Sequence, residues 1–149
     1  KVTPIHEIRT DAYRLNNYTY ALSIAQNQLY AENPEERFQH FRKTKGYANM
    51  PLDGLWLRAP FLHNGSVPSL RDLLKPASAR PPVFYRGCDI YNAVDVGFRS
   101  SGPDEACKFS FAFNTFLKGN GNGGHEGKEY GTTLLDEQKN DLIEYLKTF

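Results

Sequence analysis

The sequence has only two cysteines, one methionine and one tryptophan in 149 residues. Cys88 and Cys107 stand nineteen positions apart, outside any Cys-x-x-Cys pair, which excludes a zinc knuckle or a thioredoxin-type motif. No apolar run approaches the ~20 residues that a membrane helix needs. An excess of one charge is missing too. Eighteen Lys and Arg against seventeen Asp and Glu leave +1, which argues against a nucleic-acid footprint or a polybasic membrane patch. Nothing matches Gly-x-x-x-x-Gly-Lys-Ser/Thr, a strand-placed Gly-x-Gly-x-x-Gly or a nucleophile elbow, so phosphate, nucleotide and triad chemistry drop out. The chain opens on Lys1, and residues 1–10 lack the apolar core of a signal peptide, so we expect a mature or processed piece, the tail of something longer.

Aromatic rings are what the sequence has in plenty. Ten Phe, nine Tyr and one Trp must supply much of the buried area, because hydrophobic residues make up only 40%. Asp11 is placed to cap a short helix over Ala12 to Leu15. Pro34, Glu35 and Glu36 suit a first helical turn, and the spacing of Phe38 and Phe41 predicts a helix from Pro34 to about Lys43. Turn formers crowd Gly46 to Ser66 and predict a long ordered loop. Leu70, Leu73 and Leu74 share a face of a two-turn helix over Pro68–Leu74, which Pro76 stops. Alternating Phe109, Phe111 and Phe113 predict one strand of a hairpin over Lys108–Phe113. Gly119 to Gly131 holds six glycines and reads as a loop. The stripe Leu135, Leu142, Ile143, Leu146 and Phe149 predicts a closing helix from Asp136 to about Thr148.

Among the residues that carry chemistry, a Cys88–Cys107 disulfide is preferred over two free thiols. Closing a loop of about twenty residues is worth roughly 3 kcal/mol in the chain-entropy account, and an oxidising compartment would follow. No two of His6, His40, His63 and His125 have the i, i+4 spacing of a zinc helix. His6 is uninformative, and His40 reads as solvated beside Phe38 and Phe41. His63 follows Phe61 and Leu62 in a tight turn, where a structural and a chemical role are both open. In Gly119-Asn120-Gly121-Asn122-Gly123-Gly124-His125, small residues would leave room beside the imidazole for a large planar group. A solvent-facing loop histidine is the equal alternative. A mononuclear metal site from His125, Glu126 and a remote ligand is a weaker idea, for want of clustered ligands.

The stretch Gly46-Tyr47-Ala48-Asn49-Met50-Pro51-Leu52-Asp53-Gly54-Leu55-Trp56-Leu57-Arg58-Ala59-Pro60-Phe61-Leu62-His63-Asn64-Gly65-Ser66-Val67-Pro68-Ser69-Leu70-Arg71-Asp72-Leu73-Leu74 resembles the carboxy-terminal haem domain of bacterial dihaem c-type cytochromes. That group includes the dihaem cytochrome c peroxidases and, closer in wording, the relatives that include the rubber oxygenases. Phe84-Tyr85-Arg86-Gly87, Val96-Gly97-Phe98, the glycine loop and the closing helix are similar to the second group, so the resemblance covers about Gly46 to Phe149. It implies a mainly α fold, a portion of a cytochrome-c-like haem domain with short helices, long ordered loops and at most a small β-hairpin. Residues 1–45 would form an amino-terminal extension with a short helix, and residues 46–149 the distal-side part of the haem domain.

The family attaches haem c covalently through Cys-x-x-Cys-His, which this sequence lacks. The resemblance therefore implies a chain or amino-terminal segment that carries that motif, together with a redox partner protein. The family's distal methionine has no counterpart in Leu73-Leu74-Lys75-Pro76-Ala77-Ser78, so His125 is expected as the haem-iron axial ligand, with Met50 as second candidate. A bis-histidine haem would sit at lower potential than a His/Met one and favour electron transfer. His63 is expected near a haem edge or propionate, Arg58 and Arg71 as propionate partners, and Trp56, Phe61 and Tyr47 as the apolar wall. The implied function is electron transfer in a periplasmic or extracellular cytochrome that serves a peroxidase- or oxygenase-like reaction at a second haem. The alternative is a haem-free structural or interaction module on the same scaffold.

Overall fold

The computed structural model describes all residues, Lys1–Phe149. The chain runs β1 (Val2–Pro4), α1 (Ile5–Ile8), α2 (Tyr13–Asn17), α3 (Tyr20–Gln28), β2 (Gly46–Ala48), α4 (Leu70–Leu73), β3 (Val83–Arg86), β4 (Tyr91–Asn92), β5 (Gly97–Phe98), β6 (Phe111–Asn114) and α5 (Asp136–Leu146), with five single-turn 3₁₀ segments between them. The mainly α expectation is overturned. Helix accounts for 32% of residues and strand for 14%, in three two-stranded antiparallel sheets rather than one hairpin. Prolines and glycines cut most helices to one or two turns, while the aromatic and extended segments at β3 and β6 pair with each other.

That pairing also corrects the hairpin. Phe111–Asn114 pairs with Val83–Arg86, in a register that sets Phe84 opposite Phe113. The connection between the two strands contains the β4–β5 pair and a disulfide between Cys88 and Cys107, whose Cα atoms lie 4.9 Å apart. The helix expected over Pro34–Lys43 is a single 3₁₀ turn, Pro34–Glu36. The side-chain amide of Asn27 explains the difference. Its Oδ1 accepts from the Phe38 N–H at 2.8 Å and its Nδ2 donates to the Phe38 carbonyl at 3.0 Å, which holds that backbone extended.

Other elements follow local chemistry. Asp11 Oδ1 accepts from the Tyr13 N–H at 2.7 Å just ahead of α2, whose N-cap position is Ala12 rather than Asp11. Ser69 Oγ accepts from the Asp72 N–H at 3.0 Å and caps α4, while Gln138 Oε1 accepts from the Leu135 N–H at the start of α5. α5 turns Ile143 onto Phe61, Val67, Leu70, Leu74 and Val96, which together form the buried core. The amino-terminal residues are tied to this body because β1 pairs with β2, and a Cβ at Gly46 would collide with the Thr3 backbone. No helix is long and apolar enough to cross a membrane.

Candidate functional site

Three segments far apart in the sequence meet around two histidines. The first is the turn that follows Pro60, where the backbone N–H and C=O of Phe61 exchange hydrogen bonds with those of Val67 at 2.7 and 3.3 Å and anchor the turn to the core. From it, Asn64 Nδ2 donates to the carbonyls of Gly119 (3.1 Å) and Gly121 (2.9 Å), and Ser66 Oγ donates to that of Gly121 (3.0 Å). The second segment, the glycine loop, is thus read by side chains of the first. The third is residues 8–13. The Ile8 carbonyl accepts from the His125 N–H at 3.0 Å, and Asp11 Oδ2 accepts from the Gly121 N–H at 3.2 Å.

These contacts explain the glycines. A Cβ at Gly124, whose φ is +81°, would collide with the Ile8–Thr10 backbone, and one at Gly119 would press into the Tyr13 ring. The space expected to receive a planar group is therefore filled by the protein's own residues 8–13.

Arg80 locks the assembly from beneath. Its side chain is 3% exposed, and each of its five N–H donors meets a backbone carbonyl. Nε donates to Lys75 (3.1 Å), Nη1 to Asn122 (2.6 Å) and Gly124 (2.8 Å), and Nη2 to Leu73 and His125 (both 3.2 Å). The rigid guanidinium fork thereby fixes α4, the glycine loop and the His125 backbone in one frame.

The imidazoles sit in the field this frame creates. Burial first, then the Arg80 guanidinium and His63, push the His125 pKa down to about 4, so the ring is neutral at ordinary pH. Its Nδ1 is buried without a hydrogen-bond partner, and the ring meets Tyr130 edge-on at 5.3 Å. His63 stacks on Tyr47 at 4.2 Å, and its buried Nε2 has no partner either. Burial lowers its pKa, opposed by Asp11 and assisted by Arg14, whose Nη1 donates to the His63 carbonyl at 3.1 Å. Burial likewise raises the Tyr47 phenol, which donates to the Asp11 carbonyl at 3.2 Å.

The remaining residues singled out from the sequence lie in other settings. Phe61 is in the core, and Trp56 packs edge-on against Tyr91 at 6.4 Å, so only Tyr47 of the three aromatics stacks on a histidine. Arg71 is engaged by Asp95 and Asn140, and Arg58 donates to the Pro51 carbonyl at 2.7 Å from an exposed position. Met50 is 70% exposed. Glu126 Oε1 accepts from the Ala77 N–H at 2.7 Å, and no group of three or more metal-ligating side chains is present, which leaves the mononuclear-metal idea without support. Sequence reasoning missed Arg80 and the amide of Asn64, and it placed Asp11 as a helix cap without its contact to the glycine loop. Asn64 at least lies inside the matched motif, whereas nothing in Ala79-Arg80-Pro81 signals a buried cation.

Residues 46–85, which include the His63 turn, α4 and Arg80, match the family described as RoxA-like, cytochrome c-like. The chain is similar to a cytochrome-like haem domain over that stretch. It is 35% identical over 146 residues to the uncharacterized protein y4iJ of Sinorhizobium fredii (strain NBRC 101917 / NGR234), covering 94% of this chain and 23% of that protein. It is also 35% identical over 119 residues to y4iM of the same strain, covering 70% of this chain and 27% of that protein. The chain thus spans about a quarter of the length of the curated relatives it matches.

Although residues 8–13 occupy the space beside the glycine loop, the donor chemistry of the two histidines suits a haem iron on two counts. A neutral imidazole offers a lone pair at ordinary pH, and both histidines keep a ring nitrogen that no protein group satisfies. Covalent attachment cannot come from this sequence, because its two cysteines are joined to each other.

Proposed function

We propose that this chain forms the distal side of a c-type cytochrome haem domain and that His125 is the axial ligand it contributes. The observation that carries the reading is His125 itself: a neutral, half-buried imidazole with an unpartnered nitrogen, held on a glycine loop by Arg80 and Ile8. A bound c-type haem supplies one-electron chemistry at its iron. The protein's part is positional. Arg80 fixes where the His125 backbone stands, and His63, stacked on Tyr47 in the turn whose Asn64 holds the glycine loop, would sit toward a haem edge. Met50 is the second candidate ligand.

The proximal Cys-x-x-Cys-His comes from another segment or chain, and the role is electron transfer within a peroxidase- or oxygenase-like dihaem oxidoreductase, outside the cytoplasm. Several large apolar side chains stay exposed, Phe109 at 91% and Phe116 at 80% among them, which supports such a partner. Absorption spectra of the purified protein, oxidised and reduced, test the reading. Sharp low-spin α and β bands on reduction, turned high-spin by His125→Ala, are expected. Absence of a Soret band, or an unchanged low-spin spectrum in the variant, overturns it.

A further inference from the structure

Between β3, the Phe98–Ser100 segment and the Ala59–Pro60 turn lies a cleft of about 320 Å³ that the reading above does not use. Its volume falls at the small end of the ~300–1,000 Å³ found for ligand clefts. Phe84, Phe98, Phe111 and Pro60 supply apolar walls, Cys88 of the disulfide lies on its border, and no Asp or Glu lines it. The charged residues that do are Arg86 and Arg99.

We propose that this cleft binds a small carboxylate with an apolar body, gripped by the Arg86 guanidinium. One face of that guanidinium lies 4.9 Å from the Phe113 ring centroid, and the group packs against Gly65, where a Cβ would come within 3.1 Å of Nη1 and Nη2. With its position fixed by these contacts, the fork is preorganised. No carboxylate, carbonyl or hydroxyl of the protein accepts from it, in contrast to Arg80. Arg99 adds a second donor, since its Nη2 pairs with Asp104 but its buried Nε has no acceptor. Arg86 lines the acid-free apolar cleft, and its clamped, unpaired fork matches the planar, two-oxygen geometry of a carboxylate. The inference stands independently of the haem reading.

Benzoate is the probe and benzamide, its neutral isostere, the control. Both are titrated into the purified protein by calorimetry, with amide NMR shifts at Gly87, Phe98 and Arg99 as the locator. Benzoate is expected to bind saturably, about tenfold or more tighter than benzamide, with shifts at those amides, and Arg86→Gln is expected to weaken it by a similar factor. Arg86→Lys, which keeps the charge and loses the fork, should fall between. Equal binding of benzamide, no saturable benzoate binding, or an unchanged affinity in Arg86→Gln overturns the proposal. Should the variants fail to fold, the comparison of the two ligands in the unaltered protein decides. The titration is run on protein produced with and without haem. Binding in both forms is expected, and loss of benzoate binding in the haem-loaded protein overturns the proposal.

Discussion

Arg80 and Arg86 stand six residues apart, on either side of the prolines that lead into β3, and the structure uses them in opposite ways. Arg80 is sealed under the glycine loop with five carbonyl acceptors, whereas Arg86 lies in an apolar cleft with its position set and its donors free. The same side chain serves architecture where its donors are matched by the protein, and it serves recognition where they are not. Partner count, more than residue type or burial, separates the two roles.

The largest effect should come from breaking the first member of that pair. Arg80→Met leaves several carbonyls unsatisfied and should cost on the order of 3–5 kcal/mol, or ~10 °C in Tm for a chain of this size. Arg86→Met should change stability by less than about 1 kcal/mol. Comparable losses in thermal denaturation of both variants would erase the distinction.

Next in size is Gly124→Ala, which sets a methyl against the Ile8–Thr10 backbone at positive φ and should cost about 2–3 kcal/mol. If it is tolerated, residues 8–13 do not hold the loop as described. The Arg80 side of the comparison also has a pH signature in haem-free protein. Because His125 has a folded pKa near 4, below its unfolded value, the unfolded chain binds the extra proton between the two. Stability is therefore full above about pH 6.5 and falls as pH drops toward 4, by at most about 2 kcal/mol once solvent on the open side of the ring is allowed for. Histidine NMR titration should show His125 near 4 and His63 below 6.5, and urea melts at pH 7 and 4.5 should show the loss. Smallest is Asn64→Ala, which removes two hydrogen bonds to the loop at a cost of about 1 kcal/mol.

Much of the helical punctuation was legible because it is local. Asp11 bonds the first residue of α2, Pro76 follows the end of α4, and the apolar stripe of α5 has the helical period. The Cys88–Cys107 pairing was also anticipated. What was not legible depends on distant partners. Asn27 unwinds the Pro34–Lys43 segment from eleven residues away, β3 finds β6 across more than twenty residues, and Arg80 reaches carbonyls over forty positions on. The glycine loop shows the same limit. Its small residues suggest room for a planar group or a solvent-facing loop equally, whereas the need they meet is close approach of residues 8–13.

The account's central claim is that His125 is the ligand this chain gives to a haem iron. The most direct measurement is the spin state of the ferric haem in the purified His125→Ala protein, followed by absorption and electron paramagnetic resonance before and after adding imidazole. The account predicts a low-spin haem in the unaltered protein, a high-spin haem in the variant, and return of the low-spin signal with imidazole. A variant that stays low-spin without imidazole would contradict it and move the ligand elsewhere.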